Sequence, residues 1–77
     1  MFNVLNVSDL NVFEDGASVT KASLVDKFFS SSKKRALLPI KILGGGELKR
    51  SLKIEADKFS KSAVEKIELA KGSILSR

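Results

Sequence analysis

The sequence predicts an α/β fold: a single small domain over residues 1–77, with two helices packed on a mixed sheet. The chain has 77 residues, enough for one modest core. Apolar segments of strand length alternate with helical segments, a pattern typical of helices layered on a sheet. Both predicted helices also begin at a Ser or Thr that apolar residues flank at the spacing of a hydrophobic staple.

The first half of the chain is predicted to hold one strand and one helix. Residues 2–7 are apolar and β-branched enough for a strand, and turns are expected around Ser8 and around Gly16. Thr20 can cap a helix that ends near Phe29, because three serines follow and favour local side-chain hydrogen bonds. The face that this helix buries comprises Leu24, Val25 and Phe28.

The second half is predicted to hold two strands, a helix and a short closing strand. Pro39 suits the start of the first strand, and the second covers Leu48–Ala56, where apolar and polar residues alternate. Ser60 can cap the last helix, although a capping box at Ser62 would start it two residues later. Gly72 suits the position just past its end, and the closing strand is expected at residues 73–75.

Composition argues against most enzymes and cofactor sites. The chain has no Cys, His, Tyr or Trp, which removes thiolate ligands and the commonest general base. An enzyme would need convergent carboxylates, for which Glu47, Glu55 and Asp57 are the candidate cluster, and no catalytic pair can be placed among them. We expect no enzyme activity, cofactor, metal or small-molecule substrate. No apolar run is long enough for a membrane span, and residues 1–10 do not resemble a signal peptide.

Charge is unevenly distributed along the chain. Residues 1–20 carry three acids and no base, whereas all 14 Lys and Arg follow, and the whole chain has a net charge of +5. Such a concentration of positive charge favours a polyanionic partner, above all nucleic acid. A merely soluble, lysine-rich surface and an anionic membrane are the alternatives.

Three groups of side chains are candidates for phosphate contacts. The first is the polar loop at residues 30–35, which is otherwise an ordinary connector, and its cations are Lys33, Lys34 and Arg35. The second group lies on the basic strands around the glycine run and comprises Lys41, Lys49 and Arg50. The third surrounds the start of the last helix, where free amides favour an anion, and comprises Lys58, Ser60 and Lys61. Its alternative is a capped helix with solvated lysines.

The glycine run Gly44, Gly45 and Gly46 lacks the ending and the following helix of a P-loop. We expect a structural role, in which the backbone needs positive φ or close approach, and the alternative is close approach of RNA. Four phenylalanines could stack on bases, but their spacing favours core packing. They are Phe13, Phe28, Phe29 and Phe59.

Five segments in order resemble the C-terminal domain of the bacterial large-subunit ribosomal protein L-fifteen (the universal uL-fifteen family). They are VLNVSDLN from Val4, FEDGASVT from Phe13, KILGGGEL from Lys41, LKIEADKFSKSA from Leu52 and EKIELAKGS from Glu65. The resemblance implies an irregular superhelix of strand-strand-helix units. In that family a second glycine is common where Lys71 stands. A basic N-terminal arm is also usual, and because none corresponds to it here, Met1 is expected to open an excised or truncated domain.

The resemblance implies a structural constituent of the large ribosomal subunit that binds 23S-type rRNA and supports assembly and translation. Its implied partners are large-subunit rRNA and neighbouring ribosomal proteins, on ribosomes of the cytoplasm or of an organelle. The alternative function is a protein-interaction module without strong RNA binding of its own. Such a module would dock through the acidic first 20 residues or the apolar segment 36–38.

Overall fold

The computed structural model describes residues 2–29 and 37–76 of the chain. The strands are β1 (Asn3–Asn6), β2 (Ser18–Val19), β3 (Ile40–Leu43), β4 (Lys53–Ala56), β5 (Lys58–Phe59) and β6 (Ser73–Ser76). The helices are α1 (Lys21–Leu24), which continues as a π-helical turn over Val25–Phe29, and α2 (Lys61–Leu69). A 3-10 helix, Val7–Val12, follows β1 in place of the first predicted turn.

The strands alternate between two sheets. Sheet A has the order β1-β3-β5, sheet B has the order β2-β4-β6, and every recorded pair is parallel. The predicted α/β class is therefore confirmed, but two parallel sheets stand where one mixed sheet was expected. Parallel neighbours need a long crossover connection. Here the chain makes each crossover by way of the other sheet, which produces a superhelical path.

The core lies between the sheets and the helices. Ile40 and Ile42 of β3 are fully buried, whereas Lys41 between them is only half-buried, because successive side chains of a strand point to opposite faces. Ile54 and Ala56 come from sheet B, and Ala63 and Ile67 of α2 cover the core. The phenylalanines predicted to pack rather than stack do so: Phe29 is in the core, and Phe13, Phe28 and Phe59 pack against it.

Both predicted helix caps are confirmed. The Thr20 hydroxyl accepts the backbone N–H of Ser23 at 3.1 Å, and the Ser60 hydroxyl accepts that of Ala63 at 3.1 Å. The alternative start of α2 two residues later is therefore wrong. These caps were predictable because each hydrogen bond joins residues only three positions apart.

The predicted strand over Leu48–Ala56 is too long, since only its last four residues, Lys53–Ala56, form β4. In the segment before β4, two backbone N–H groups donate hydrogen bonds to side chains. Lys49 donates its N–H to the Asn11 side-chain oxygen at 2.8 Å, and Ser51 donates its N–H to Asp15 at 2.5 Å. Because those donors are engaged by side chains, β4 does not extend back to Leu48.

Lys71, and not Gly72, occupies the left-handed position in the turn that ends helix α2. Lys71 has φ +63°, and it donates its N–H to the carbonyl of Glu68 at 2.9 Å. Gly72 donates to the carbonyl of Ile67 at 2.9 Å, which completes a Schellman motif. A side chain at Gly72 would overlap the backbone oxygen of Leu52, so this glycine serves close packing.

Candidate nucleic-acid interface

Two of the candidate cations lie side by side on the outer face of sheet A. Lys41 pairs in register with Val4 on one side and Lys58 on the other. Ile40 and Ile42 point into the core, so the row from Val4 to Lys58 faces outward. Like charges directly opposite each other on neighbouring strands repel. An anion bound over this pair would relieve that repulsion.

Phe2 extends this face. Phe2 is 37% exposed, and the Lys58 ammonium lies 5.9 Å from the centroid of its ring, within range of a cation–π interaction. Sequence reasoning did not single out Phe2. The available signal was its position two residues before Val4, because such residues of a strand point to the same face.

The third candidate group lies at the carboxyl edge of sheet A. The backbone N–H of Ser60 donates to the carbonyl of Ile42 at 2.9 Å, which fixes the start of α2 beside the end of β3. The Ser60 hydroxyl is occupied by its cap and lies 3.3 Å from the Ser62 hydroxyl. Lys61 is exposed at the first position of the helix, where the helix dipole adds positive potential.

The glycine run packs on this edge with no room for side chains. A Cβ at Gly44 would overlap the Ser62 side chain, and one at Gly45 would overlap the Asn6 amide. Gly46 has φ +74°, and a Cβ there would lie 2.5 Å from that of Ser8. Close approach and positive φ therefore account for these glycines within the protein itself.

Lys66 holds the glycine run in place. Its ammonium donates to the carbonyl of Gly44 at 2.6 Å and to that of Gly46 at 2.5 Å. Sequence reasoning missed this residue. The available signal was its position at the edge of the buried stripe of α2, beside Ile67, where a lysine head group needs a partner.

The second basic pair, Lys49 and Arg50, is exposed on the segment that precedes β4. The Asn11 side chain clamps the backbone there: it donates to the carbonyl of Glu47 at 2.8 Å and accepts from Lys49 at 2.8 Å. Asp15 holds Ser51 immediately afterwards. The two cations thus project from a backbone that is fixed on both sides, on a segment outside the strands of sheet A.

The candidate cations lack carboxylate partners among the described residues. The ion pair recorded in that part of the chain joins Lys21 to Asp57 at 2.9 Å. No described carboxylate lies within ion-pair distance of the candidates Lys41, Lys49, Arg50, Lys58 or Lys61. Their charge therefore remains available to an anion.

Most of the acids that could have formed other sites serve the fold. Asp57 also accepts the backbone N–H of Ile40 at 2.7 Å, and Glu55 accepts that of Lys21 at 3.3 Å. Asp9 accepts the N–H of Asn6 at 2.9 Å. Within residues 2–29 and 37–76, no cluster of His, Cys, Asp or Glu has the arrangement of a metal site. No helix in that part of the chain is both long enough and apolar enough to cross a bilayer.

The structure places some of the predicted phosphate-contacting residues next to one another, but not all of them. Lys41 and Lys58 are neighbours, and Ser60 and Lys61 lie at the edge of the same sheet. Lys49 and Arg50 lie on the segment before β4, outside the strands of both sheets. The predicted basic loop with Lys33, Lys34 and Arg35 lies outside the described residues.

The chain matches a known protein family. The matching family is described as ribosomal proteins, and it groups 50S-L15 and 50S-L18e with the 60S protein L-twenty-seven-A. The match covers residues 4–75, nearly the whole chain.

Proposed function

The chain belongs to the ribosomal protein family of 50S-L15, 50S-L18e and the 60S protein L-twenty-seven-A, and from that membership we propose that it binds large-subunit rRNA as a structural constituent of the ribosome. In this role it supports subunit assembly and translation, on ribosomes of the cytoplasm or of an organelle. Its partners are rRNA and neighbouring large-subunit proteins. Structural components of this kind need no catalytic group, so the proposal includes no enzyme activity.

The observation that carries the proposal is the pairing of Lys41 with Lys58 across neighbouring strands. Neither lysine has a described carboxylate partner, so the sheet presents two repelling charges to solvent. RNA phosphates placed over this row would neutralise both charges. Phe2 beside Lys58 gives the same face an aromatic surface against which a base or ribose can lie.

Recognition by these residues is expected to depend on the shape and backbone of the RNA. Lysines act as point charges towards phosphates, whereas reading of base identity needs hydrogen bonds to base edges. Lys61 at the start of α2 adds a further cation where the helix dipole already favours anions. Lys49 and Arg50 would contact a second stretch of RNA backbone from their clamped segment.

The test is binding of the domain to deproteinised large-subunit rRNA, with transfer RNA present as competitor. We expect weak binding at low salt that falls steeply towards physiological salt, because phosphate contacts release counterions. Absence of binding at low salt, or an affinity that does not depend on salt, would contradict phosphate contacts by these residues.

A further inference from the structure

Phe2 brings an aromatic side chain to the outer face of sheet A. Of the five phenylalanines it is the exposed one, whereas the other four are buried or half-buried and belong to the core or pack against it. Val4, two residues later on the same face, is 49% exposed. Exposed apolar residues are ordinary by themselves, so the charged groups around these two decide what the face can bind.

The Phe2 ring contacts a lysine from a strand that is not its neighbour. Strand β3 lies between β1 and β5 in sheet A, yet the Lys58 ammonium is 5.9 Å from the ring centroid. The two side chains therefore approach each other across the outer face of β3, where Lys41 pairs in register with Lys58. Phe2, Val4, Lys41 and Lys58 thus form one surface, which we call the sheet A platform.

The sheet A platform is positively charged. Asp57 directly precedes Lys58, but its carboxylate pairs with the Lys21 ammonium at 2.9 Å. Asp9, which follows β1, accepts the backbone N–H of Asn6 at 2.9 Å. The acids beside the platform in sequence are thus engaged by other groups, and an anionic ligand is complementary to it in charge.

A nucleotide with an unpaired base combines the two kinds of group that this platform can bind. Its phosphate is attracted to ammonium groups, and the face of its base stacks on an aromatic ring. In double-stranded RNA the bases stack on one another inside the helix, so a protein contacts mainly phosphates and riboses. An exposed ring beside two paired lysines therefore favours single-stranded RNA over a duplex.

We propose that the sheet A platform binds single-stranded RNA, with an unpaired base stacked on Phe2 and neighbouring phosphates held by Lys41 and Lys58. This inference rests on the proposed function, because it specifies which form of RNA occupies the lysine pair. Stacking on a ring accepts any base. Recognition thus stays independent of sequence, while it selects unpaired segments such as loops and bulges.

The experiment compares a labelled single-stranded RNA with its duplex, by fluorescence anisotropy at one salt concentration. The duplex carries twice as many phosphates, so charge alone would favour the duplex. We expect the domain to bind the single strand more tightly. Phe2→Leu keeps an apolar side chain but removes the ring. It should weaken single-strand binding about fivefold and leave the salt dependence unchanged.

Phe2→Trp supplies both a rescue and a direct readout of stacking. The chain has no tryptophan, so the new indole is the sole source of tryptophan fluorescence. This variant should bind the single strand at least as tightly as the wild type, and a stacked base should quench its fluorescence. Leu75→Trp, at a 58% exposed position on β6 of sheet B, is the matched control and should not be quenched. Circular dichroism of each variant checks that the fold is kept.

Three results would overturn this inference alone. The first is equal single-strand affinity in the wild type and the Phe2→Leu variant, and the second is tighter binding of the duplex. The third is Phe2→Trp fluorescence that the single strand quenches no more than that of Leu75→Trp. The proposed function survives each of them if binding stays salt-dependent and falls in Lys41→Gln/Lys58→Gln. A domain that binds neither RNA at low salt would overturn both proposals.

Discussion

The side-chain oxygen of Asn11 accepts the backbone N–H of Lys49 at 2.8 Å. The same amide donates to the carbonyls of Glu47 and Ser8, so one side chain joins the 3-10 helix to the segment that presents Lys49 and Arg50. The alternating pattern of this segment predicted hydrogen bonds to a neighbouring strand. The backbone at Glu47 and Lys49 instead binds the Asn11 side chain.

Asn11→Ala should destabilise the domain by about 1–3 kcal/mol, because it leaves the amide of Lys49 and the carbonyl of Glu47 without partners. Hydrogen exchange at the Lys49 amide should accelerate by more than at Ile54 in the core of sheet B. Asn11→Asp keeps the acceptor and loses only the donor, so protection of the Lys49 amide should largely persist. Loss of that protection in both variants would show that the clamp is not the controlling contact.

The left-handed residue after α2 offers a stabilising change. Lys71 has φ +63°, a conformation that costs a residue with a side chain about 1 kcal/mol relative to glycine. Lys71→Gly should therefore raise the free energy of unfolding in urea by a few tenths to about 1 kcal/mol. Gly72→Ala, one position later, should lower it, because the new Cβ would overlap the Leu52 backbone oxygen. Destabilisation by Lys71→Gly would contradict the described turn.

Alanine substitutions at two glycines with positive φ distinguish the cost of backbone strain from the cost of steric overlap. Gly16 has φ +86° with open space around it, whereas Gly46 has φ +74° and faces the Ser8 side chain. Gly16→Ala should cost about 1 kcal/mol from the backbone alone. Gly46→Ala should cost clearly more, because Ser8 and the glycine run would have to shift. Equal losses of stability in urea unfolding would show that Ser8 gives way freely.

Lys66 and Lys61 lie on one helix and are expected to behave in opposite ways. Lys66→Met removes the ammonium that holds Gly44 and Gly46, and it should destabilise the domain by about 1.5–3 kcal/mol. Lys61→Met, at an exposed position, should change stability by less than about 0.5 kcal/mol. If Lys61 contacts phosphate, its loss should weaken rRNA binding. An unchanged stability in the Lys66 variant would contradict the described hydrogen bonds.

Local patterns predicted much of this fold. The caps at Thr20 and Ser60 depend on residues three positions away, and the burial of Ile40 and Ile42 follows from strand alternation. The strand over Leu48–Ala56 was predicted too long because its amides bind Asn11 and Asp15, more than thirty residues earlier in the chain. No local pattern reports such a contact.

In the candidate site, too, local sequence predicted the residues but not the contacts between residues that are distant in the chain. The basic residues were identifiable from composition and spacing, but the pairing of Lys41 with Lys58 depends on the register of two parallel strands. The contact of Lys66 with Gly44 and Gly46 is likewise made only when α2 packs on the end of sheet A. Charge patterns therefore identified the candidate cations, whereas sheet topology determined which of them are neighbours.

The most direct measurement is the salt dependence of large-subunit rRNA binding by the wild-type domain and by the double variant Lys41→Gln/Lys58→Gln. Loss of two phosphate contacts should reduce the slope of log affinity against log salt by roughly two units, about one for each contact. Lys53→Gln, at an exposed strand position on sheet B, is the control and should keep the wild-type slope. A double variant with the wild-type slope and affinity would contradict the claim that sheet A binds RNA through this pair.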